Sequence, residues 1–147
     1  MARIDEQTTR DIVAQFNAKP EMLVQILQAI VSRFGWVPSA TIRQLADELN
    51  LSRADVHGVV EYYHDFRTEE PGEHIVKICQ AEACQAMGSR ELTEHAKKTL
   101  TDDVTLEPVY CLGNCACSPA VMVDGKTYGR VDQSRFDDLL EMMRGND

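Results

Sequence analysis

Four of the chain's five cysteines form two close pairs in its C-terminal half. Four residues separate Cys79 from Cys84, and three residues separate Cys111 from Cys115. Each pair begins where an apolar, strand-like segment ends, so one sheet can bring two short thiol-bearing loops together at the same edge. The pattern predicts a metal centre built from paired thiolates, and it requires a fold that aligns the two strands.

The spacing of the pairs leaves three chemistries open: an iron–sulfur cluster, a zinc site, or thiol redox chemistry. Structural zinc sites use two to four residues between cysteines, which covers both pairs. In a 2Fe–2S cluster each iron takes its own pair of thiolates, and plant-type ferredoxins use a four-residue spacing. The fifth cysteine, Cys117, is predicted to be a small apolar bystander whose side chain points away from the centre.

The composition favours a cytoplasmic location. The chain's 147 residues suit one domain or two small ones, and its 44% apolar content allows a buried core. There is no apolar run of the roughly 20 residues that a membrane span needs, so no direct membrane insertion is expected. The first residues lack the apolar segment of a secretory signal. A reducing compartment favours metal or redox use of the thiols over disulfides.

A nucleic-acid partner is not expected. Segment 44–56 has the outline of a helix-turn-helix, which suggests a DNA-binding sensor as an alternative function. Its second helix, however, carries Asp55, Glu61 and Asp65 and has only Arg53 at its start. A net charge of −9 would also repel a phosphate backbone.

The chain before residue 70 is predicted to be a bundle of three or four short helices. Segment 20–34 has an apolar stripe at helical spacing, and Gly35 follows as a C-terminal stop. Ser39 and Ser52 are predicted N-caps of two further helices, and Asp55 completes a capping box with Ser52.

The pattern changes to a mixture of strands and helices after the turn-like segment 69–72. Helices are predicted at 88–100 and around the apolar residues from Phe136 to Met143. The dipeptide Asp124-Gly125 is a strong hairpin signal between the last two strands. Four segments have strand character: 74–79, 104–110, 120–123 and 127–131. This order predicts a sheet covered by helices, and the chain as a whole is of the α+β class.

Several runs resemble a known family, that of the 24 kDa subunit of respiratory complex I. In the helical part they are 35–38 (Gly-Trp-Val-Pro), 46–49 (Ala-Asp-Glu-Leu) and 56–63 (Val-His-Gly-Val-Val-Glu-Tyr-Tyr). The two cysteine pairs, with Leu112-Gly113 and Pro119, are similar to that family's 2Fe–2S motif. Within the family, runs 49–60, 64–67 and 106–111 most resemble the gamma subunit of cytosolic NAD-dependent formate dehydrogenases.

The resemblance implies a fold, a cofactor and partners. The expected fold is an N-terminal helical bundle (1–71) followed by a thioredoxin-like α/β domain with a mixed sheet (72–147). The expected cofactor is a 2Fe–2S cluster with Cys79, Cys84, Cys111 and Cys115 as its ligands, and no catalytic residue is expected. The implied partners are a flavin- and NAD-binding beta subunit and a molybdenum-containing alpha subunit. Complex I and NAD-linked hydrogenases are alternative assemblies for the same module.

Overall fold

A computed structural model describes residues 5–145, which form seven α-helices and four strands. The chain divides into two compact units, Met1–Glu70 and Pro71–Asp147. Each unit has its own buried apolar core. Within residues 5–145, no helix has the length and apolar character that a membrane span requires.

The first unit is entirely helical, as its sequence predicts. Apolar residues that recur every three or four positions on its helices are fully buried, among them Ile26, Ile30 and Leu45. A short 3₁₀ turn at Pro20–Met22 precedes the second helix. The helices are α1 (Glu6–Gln15), α2 (Leu23–Phe34), α3 (Ser39–Leu49) and α4 (Arg53–Tyr62).

The helix ends follow the sequence at two of three predicted caps. Gly35 ends α2 in the left-handed conformation, with φ of 84°. Ser52 caps α4 in a capping box, because the Asp55 N–H donates to Ser52 Oγ at 3.0 Å and the Ser52 N–H donates to Asp55 Oδ2 at 3.1 Å. The prediction for Ser39 is wrong. Pro38 is the N-cap of α3, since its extended backbone already positions the chain for the first turn, and Ser39 is the first helical residue.

This difference between two serines gives a testable prediction. Replacing Ser52 by alanine should lower the free energy of unfolding by about 1 kcal/mol, because the N–H of Asp55 loses its partner. Replacing Ser39 by alanine should change it by less than about 0.5 kcal/mol. Urea unfolding followed by the fluorescence of Trp36, the chain's one tryptophan, reports on this unit. Equal losses in the two variants would contradict the cap assignment.

The effect of Ser52→Ala should also depend on pH. Hydrogen bonds from the Ser52 hydroxyl and N–H hold the pKa of Asp55 below its usual 3.8. A lowered folded-state pKa stabilises the fold above the unfolded-state pKa, and that contribution is lost as pH falls through the folded-state pKa. The difference between wild type and Ser52→Ala should therefore be complete at neutral pH and should shrink below about pH 3.8.

The second unit contains a four-stranded mixed sheet in the order β2-β1-β3-β4. Strand β1 pairs in parallel with β2 and antiparallel with β3, and β3 pairs antiparallel with β4. The predicted α+β class with a mixed sheet is confirmed. The elements are β1 (His74–Cys79), α5 (Glu82–Ala86), α6 (Ser89–Thr99), β2 (Val104–Val109), β3 (Val121–Val123), β4 (Lys126–Tyr128) and α7 (Gln133–Arg144).

The hairpin between β3 and β4 forms as predicted. Asp124 and Gly125 both have positive φ, 47° and 82°, which matches the two-residue turn favoured between twisted strands. The Asp124 carboxylate also accepts from the Ile75 N–H and pairs with the His74 ring, each at 2.8 Å. One side chain therefore joins the turn to the start of β1.

Strand β4 ends earlier than the sequence predicts. The sequence pattern indicates a strand over 127–131, whereas the strand covers Lys126–Tyr128. Arg130 has a positive φ of 51°, which extended strands do not adopt. Its N–H donates to the Cys117 carbonyl at 2.6 Å, and the N–H of Val131 donates to Pro119 at 3.0 Å. The chain therefore leaves the sheet after Tyr128 to support the loop that carries the later cysteines.

Candidate metal centre

The two cysteine pairs begin at neighbouring strand ends. Cys79 is the last residue of β1, and its partner in the parallel register is Val109, the last residue of β2. Cys111 follows Val109 after one intervening residue. Because the carboxyl ends of parallel neighbours lie side by side, the sheet positions both thiol-bearing segments at one edge, as the sequence predicts.

The first pair, Cys79 and Cys84, is buried, with each residue 2% exposed. Both pack with Ala120, and Ala81, Val109 and Leu112 surround them. The expectation that each pair lies on a loop is wrong for Cys84, which lies in the short helix α5. The helical turn is short enough that five residues give it no clear apolar period in the sequence.

Three neighbours form hydrogen bonds with the Cys84 thiol. Its Sγ accepts from the Ala120 N–H at 3.4 Å and lies 3.4 Å from Ser118 Oγ. Burial raises the pKa of the Cys84 thiol, but hydrogen bonds with Ser118, Ala120 and Cys79 outweigh burial and lower it below the ordinary value. The site therefore favours the thiolate, which is the form that binds metal.

The second pair, Cys111 and Cys115, is exposed, and its two Sγ atoms lie 3.7 Å apart. Cys111 has an unusual φ of 101°, which turns the chain sharply after β2, and Cys115 begins a 3₁₀ turn, Cys115–Cys117. The Gly113 N–H donates to Cys111 Sγ at 3.3 Å. A backbone donor therefore acts on a sulfur in each pair, as in centres whose potential the protein adjusts.

Electrostatic repulsion connects the four thiols. A hydrogen bond with Cys111, and then the charge of its thiolate, raises the pKa of the Cys115 thiol. The charges of Cys84 and Cys79 add smaller effects of the same sign. Because thiolates at this spacing repel one another, a cationic centre is needed to hold them together in the charged form.

The grouping of the thiols distinguishes between a mononuclear and a binuclear centre. Across residues 5–145, no three His, Cys, Asp or Glu side chains are placed to hold a single metal ion. The cysteines form two pairs, whereas a structural zinc site needs four donors around one ion. Two pairs fit a centre with two irons, each bound by one pair.

Cys117 lies on the far side of its turn, against the segment that follows β4. A Cβ atom placed on Gly129 would come within 2.7 Å of Cys117 Cβ, so the two residues are in close contact. The Cys117 carbonyl accepts the hydrogen bond from Arg130. These contacts give Cys117 a packing role in the loop. The sequence reasoning missed Ser118, whose only signal was its position in the run 111–119.

Comparisons with known proteins agree with this chemistry. Residues 9–144 match the family described as thioredoxin-like [2Fe-2S] ferredoxin. A subunit of the NADH-quinone oxidoreductase of Pseudomonas aeruginosa is 32% identical over 127 residues, which are 80% of this chain and 76% of that protein. The HndA subunit of the NADP-reducing hydrogenase of Solidesulfovibrio fructosivorans is 28% identical over 143 residues, which are 89% of this chain and 84% of that protein.

The fold also has a counterpart among solved structures. A chain in the crystal structure of NAD+-reducing [NiFe]-hydrogenase in the H2-reduced state aligns with a TM-score of 0.70 at 18% identity. The alignment covers 86% of this chain and 22% of that chain, so the similarity is to a part of a longer protein. With the family match spanning nearly the whole sequence, the chain belongs to the thioredoxin-like [2Fe-2S] ferredoxin family, and its cofactor is a 2Fe–2S cluster.

Proposed function

We propose that this chain is a one-cluster electron-transfer subunit whose 2Fe–2S cluster is held by Cys79, Cys84, Cys111 and Cys115. The observation that carries the proposal is the placement of two thiol pairs at the ends of adjacent parallel strands. When bound, the cluster supplies one-electron transfer. The chain's own residues bury one side of the site, donate hydrogen bonds to its sulfurs and leave the other side accessible.

The exposed pair, Cys111 and Cys115, suits electron exchange with a partner subunit. We propose that the partner is a flavin- and NAD-binding beta subunit, where the flavin converts one-electron steps into hydride transfer with NAD. The relatives named above are subunits of an NADH-quinone oxidoreductase and of an NADP-reducing hydrogenase. Both names fit a module that serves pyridine-nucleotide-linked assemblies.

Among such assemblies we propose an NAD-dependent formate dehydrogenase with a molybdenum-containing alpha subunit, located in the cytoplasm. The support is the resemblance of runs 49–60, 64–67 and 106–111 to that enzyme's gamma subunit. We also propose that residues 1–71 and 72–147 act as separate domains, a helical bundle and a cluster-binding domain. Complex I and NAD-linked hydrogenase are the alternatives for the assembly.

Purification of the tagged chain from its native cells tests the assembly. We expect a flavoprotein and a molybdenum-containing subunit to co-purify, and the complex to reduce NAD with formate. Recovery with nickel-containing hydrogenase subunits or with membrane proton-pump subunits would contradict the formate dehydrogenase assignment. It would leave the electron-transfer role intact.

Spectroscopy of the purified chain tests the cofactor separately. We expect two irons and two acid-labile sulfides per chain, a red-brown colour that bleaches with dithionite, and one EPR signal from the reduced protein. A colourless protein with one zinc per chain would instead indicate a zinc-binding interaction module.

A further inference from the structure

Ser118 lies between the two thiol pairs. It is 8% exposed, and its hydroxyl contacts one residue of each pair. Ser118 Oγ is 3.4 Å from Cys84 Sγ of the buried pair and 2.8 Å from the backbone carbonyl oxygen of Cys115 in the exposed pair. In the structure the Cys84 thiol donates to Ser118 Oγ, and the Ser118 hydroxyl donates to the Cys115 carbonyl.

The number of protons in this chain of contacts determines what Ser118 can do. Two protons serve two hydrogen bonds when Cys84 is a thiol. As a metal ligand Cys84 is a thiolate, so only the hydroxyl proton of Ser118 remains between the two side chains. If that proton stayed on the Cys115 carbonyl, an oxygen lone pair would face a charged sulfur in a buried site. Turning the hydroxyl toward the sulfur replaces that repulsion with a charge-assisted hydrogen bond.

We propose that Ser118 is a positioning residue that donates its hydroxyl proton to the Cys84 sulfur and thereby raises the reduction potential of the cluster. The proposal depends on the proposed ligand role of Cys84. Reduction adds negative charge to the centre, and a donor aimed at a ligand sulfur stabilises that charge. Burial of Ser118 strengthens the effect, because the local dielectric constant is low.

Cys84 then differs from the exposed ligands in the kind of donor that it has. The Ala120 N–H at 3.4 Å is a backbone donor with a fixed direction, and Cys111 has a similar one in the Gly113 N–H at 3.3 Å. The Ser118 hydroxyl can rotate, and its alternative acceptor belongs to Cys115. One side chain thus controls a sulfur of the buried pair and the backbone of the exposed pair.

Redox titration of the full-length protein, followed by EPR of the reduced cluster, tests the proposal. We expect the midpoint potential of Ser118→Ala to shift to a more negative value. Ser118→Thr keeps a hydroxyl and should restore the wild-type potential. The neighbouring substitution Cys117→Ala should leave the potential unchanged and serves as the matched control in the same turn.

Three results would overturn the proposal. The first is a Ser118→Ala potential equal to that of the wild type, which would mean that the hydroxyl serves only the Cys115 carbonyl. The second is a threonine variant with full iron content and an alanine-like potential. The third is an alanine variant that folds by circular dichroism but takes up no iron, since the serine would then be needed for assembly. If alanine prevents folding, Ser118→Gly replaces it. A wild-type protein without any cluster signal would instead refute the proposed function.

Discussion

Replacing Cys115 by serine should abolish the 2Fe–2S cluster or leave it on only a small fraction of chains. A serine oxygen is a harder and more weakly thiophilic donor, and losing one thiolate leaves an iron of the exposed pair with a single sulfur from the protein. The same change at Cys117 should leave the cluster at its wild-type level, because Cys117 packs against Gly129. Iron and sulfide content per chain, visible absorbance and EPR spin count measure both outcomes.

The two cysteines make a sharp comparison because they lie in the same 3₁₀ turn. Any general damage to the turn should affect both variants, so a difference between them reports on ligation. An intact cluster in Cys115→Ser combined with loss in Cys117→Ser would contradict the ligand assignment. Cys79→Ser should behave like Cys115→Ser, since Cys79 is buried beside Cys84 at the end of β1.

Replacing Phe136 by alanine should cost about 3–5 kcal/mol of unfolding free energy. Phe136 is 0% exposed and belongs to the core of the second unit, where its ring centroid lies 6.2 Å from that of His95 in an edge-to-face contact. The substitution removes a large apolar side chain and leaves a cavity. Because domains are stable by only about 5–15 kcal/mol, the variant should lie close to unfolding.

Met142→Ala on the same helix is the control for this experiment. Met142 is 59% exposed, so truncating it should change the free energy by less than about 0.5 kcal/mol. Denaturant unfolding followed by far-ultraviolet circular dichroism, with hydrogen exchange at the amides of β1, measures the loss in the correct unit. Similar stabilities for Phe136→Ala and Met142→Ala would contradict the burial of the Phe136 ring.

The helical and strand patterns were predictable wherever a single period or cap dominates. The apolar stripe of α2 ending at Gly35, the Ser52 capping box and the Asp124-Gly125 hairpin are all local signals, and the structure follows each of them. The failures are at positions where neighbours in space decide the outcome. Ser39 lost the capping position to Pro38, and β4 ended early because Arg130 turns toward the loop of Cys117.

By itself the sequence determined the kind of centre that this protein can hold: two pairs of thiols, each following a strand, in a chain of the α+β class. Thiol chemistry and residue spacing are local properties, so they can be read without a fold. Only the tertiary structure decided that Cys79 lies opposite Val109, that one pair is buried and the other exposed, and that Ser118 lies against Cys84. These relations join residues about 30 positions apart, and strand register and packing, which no local pattern specifies, bring them together.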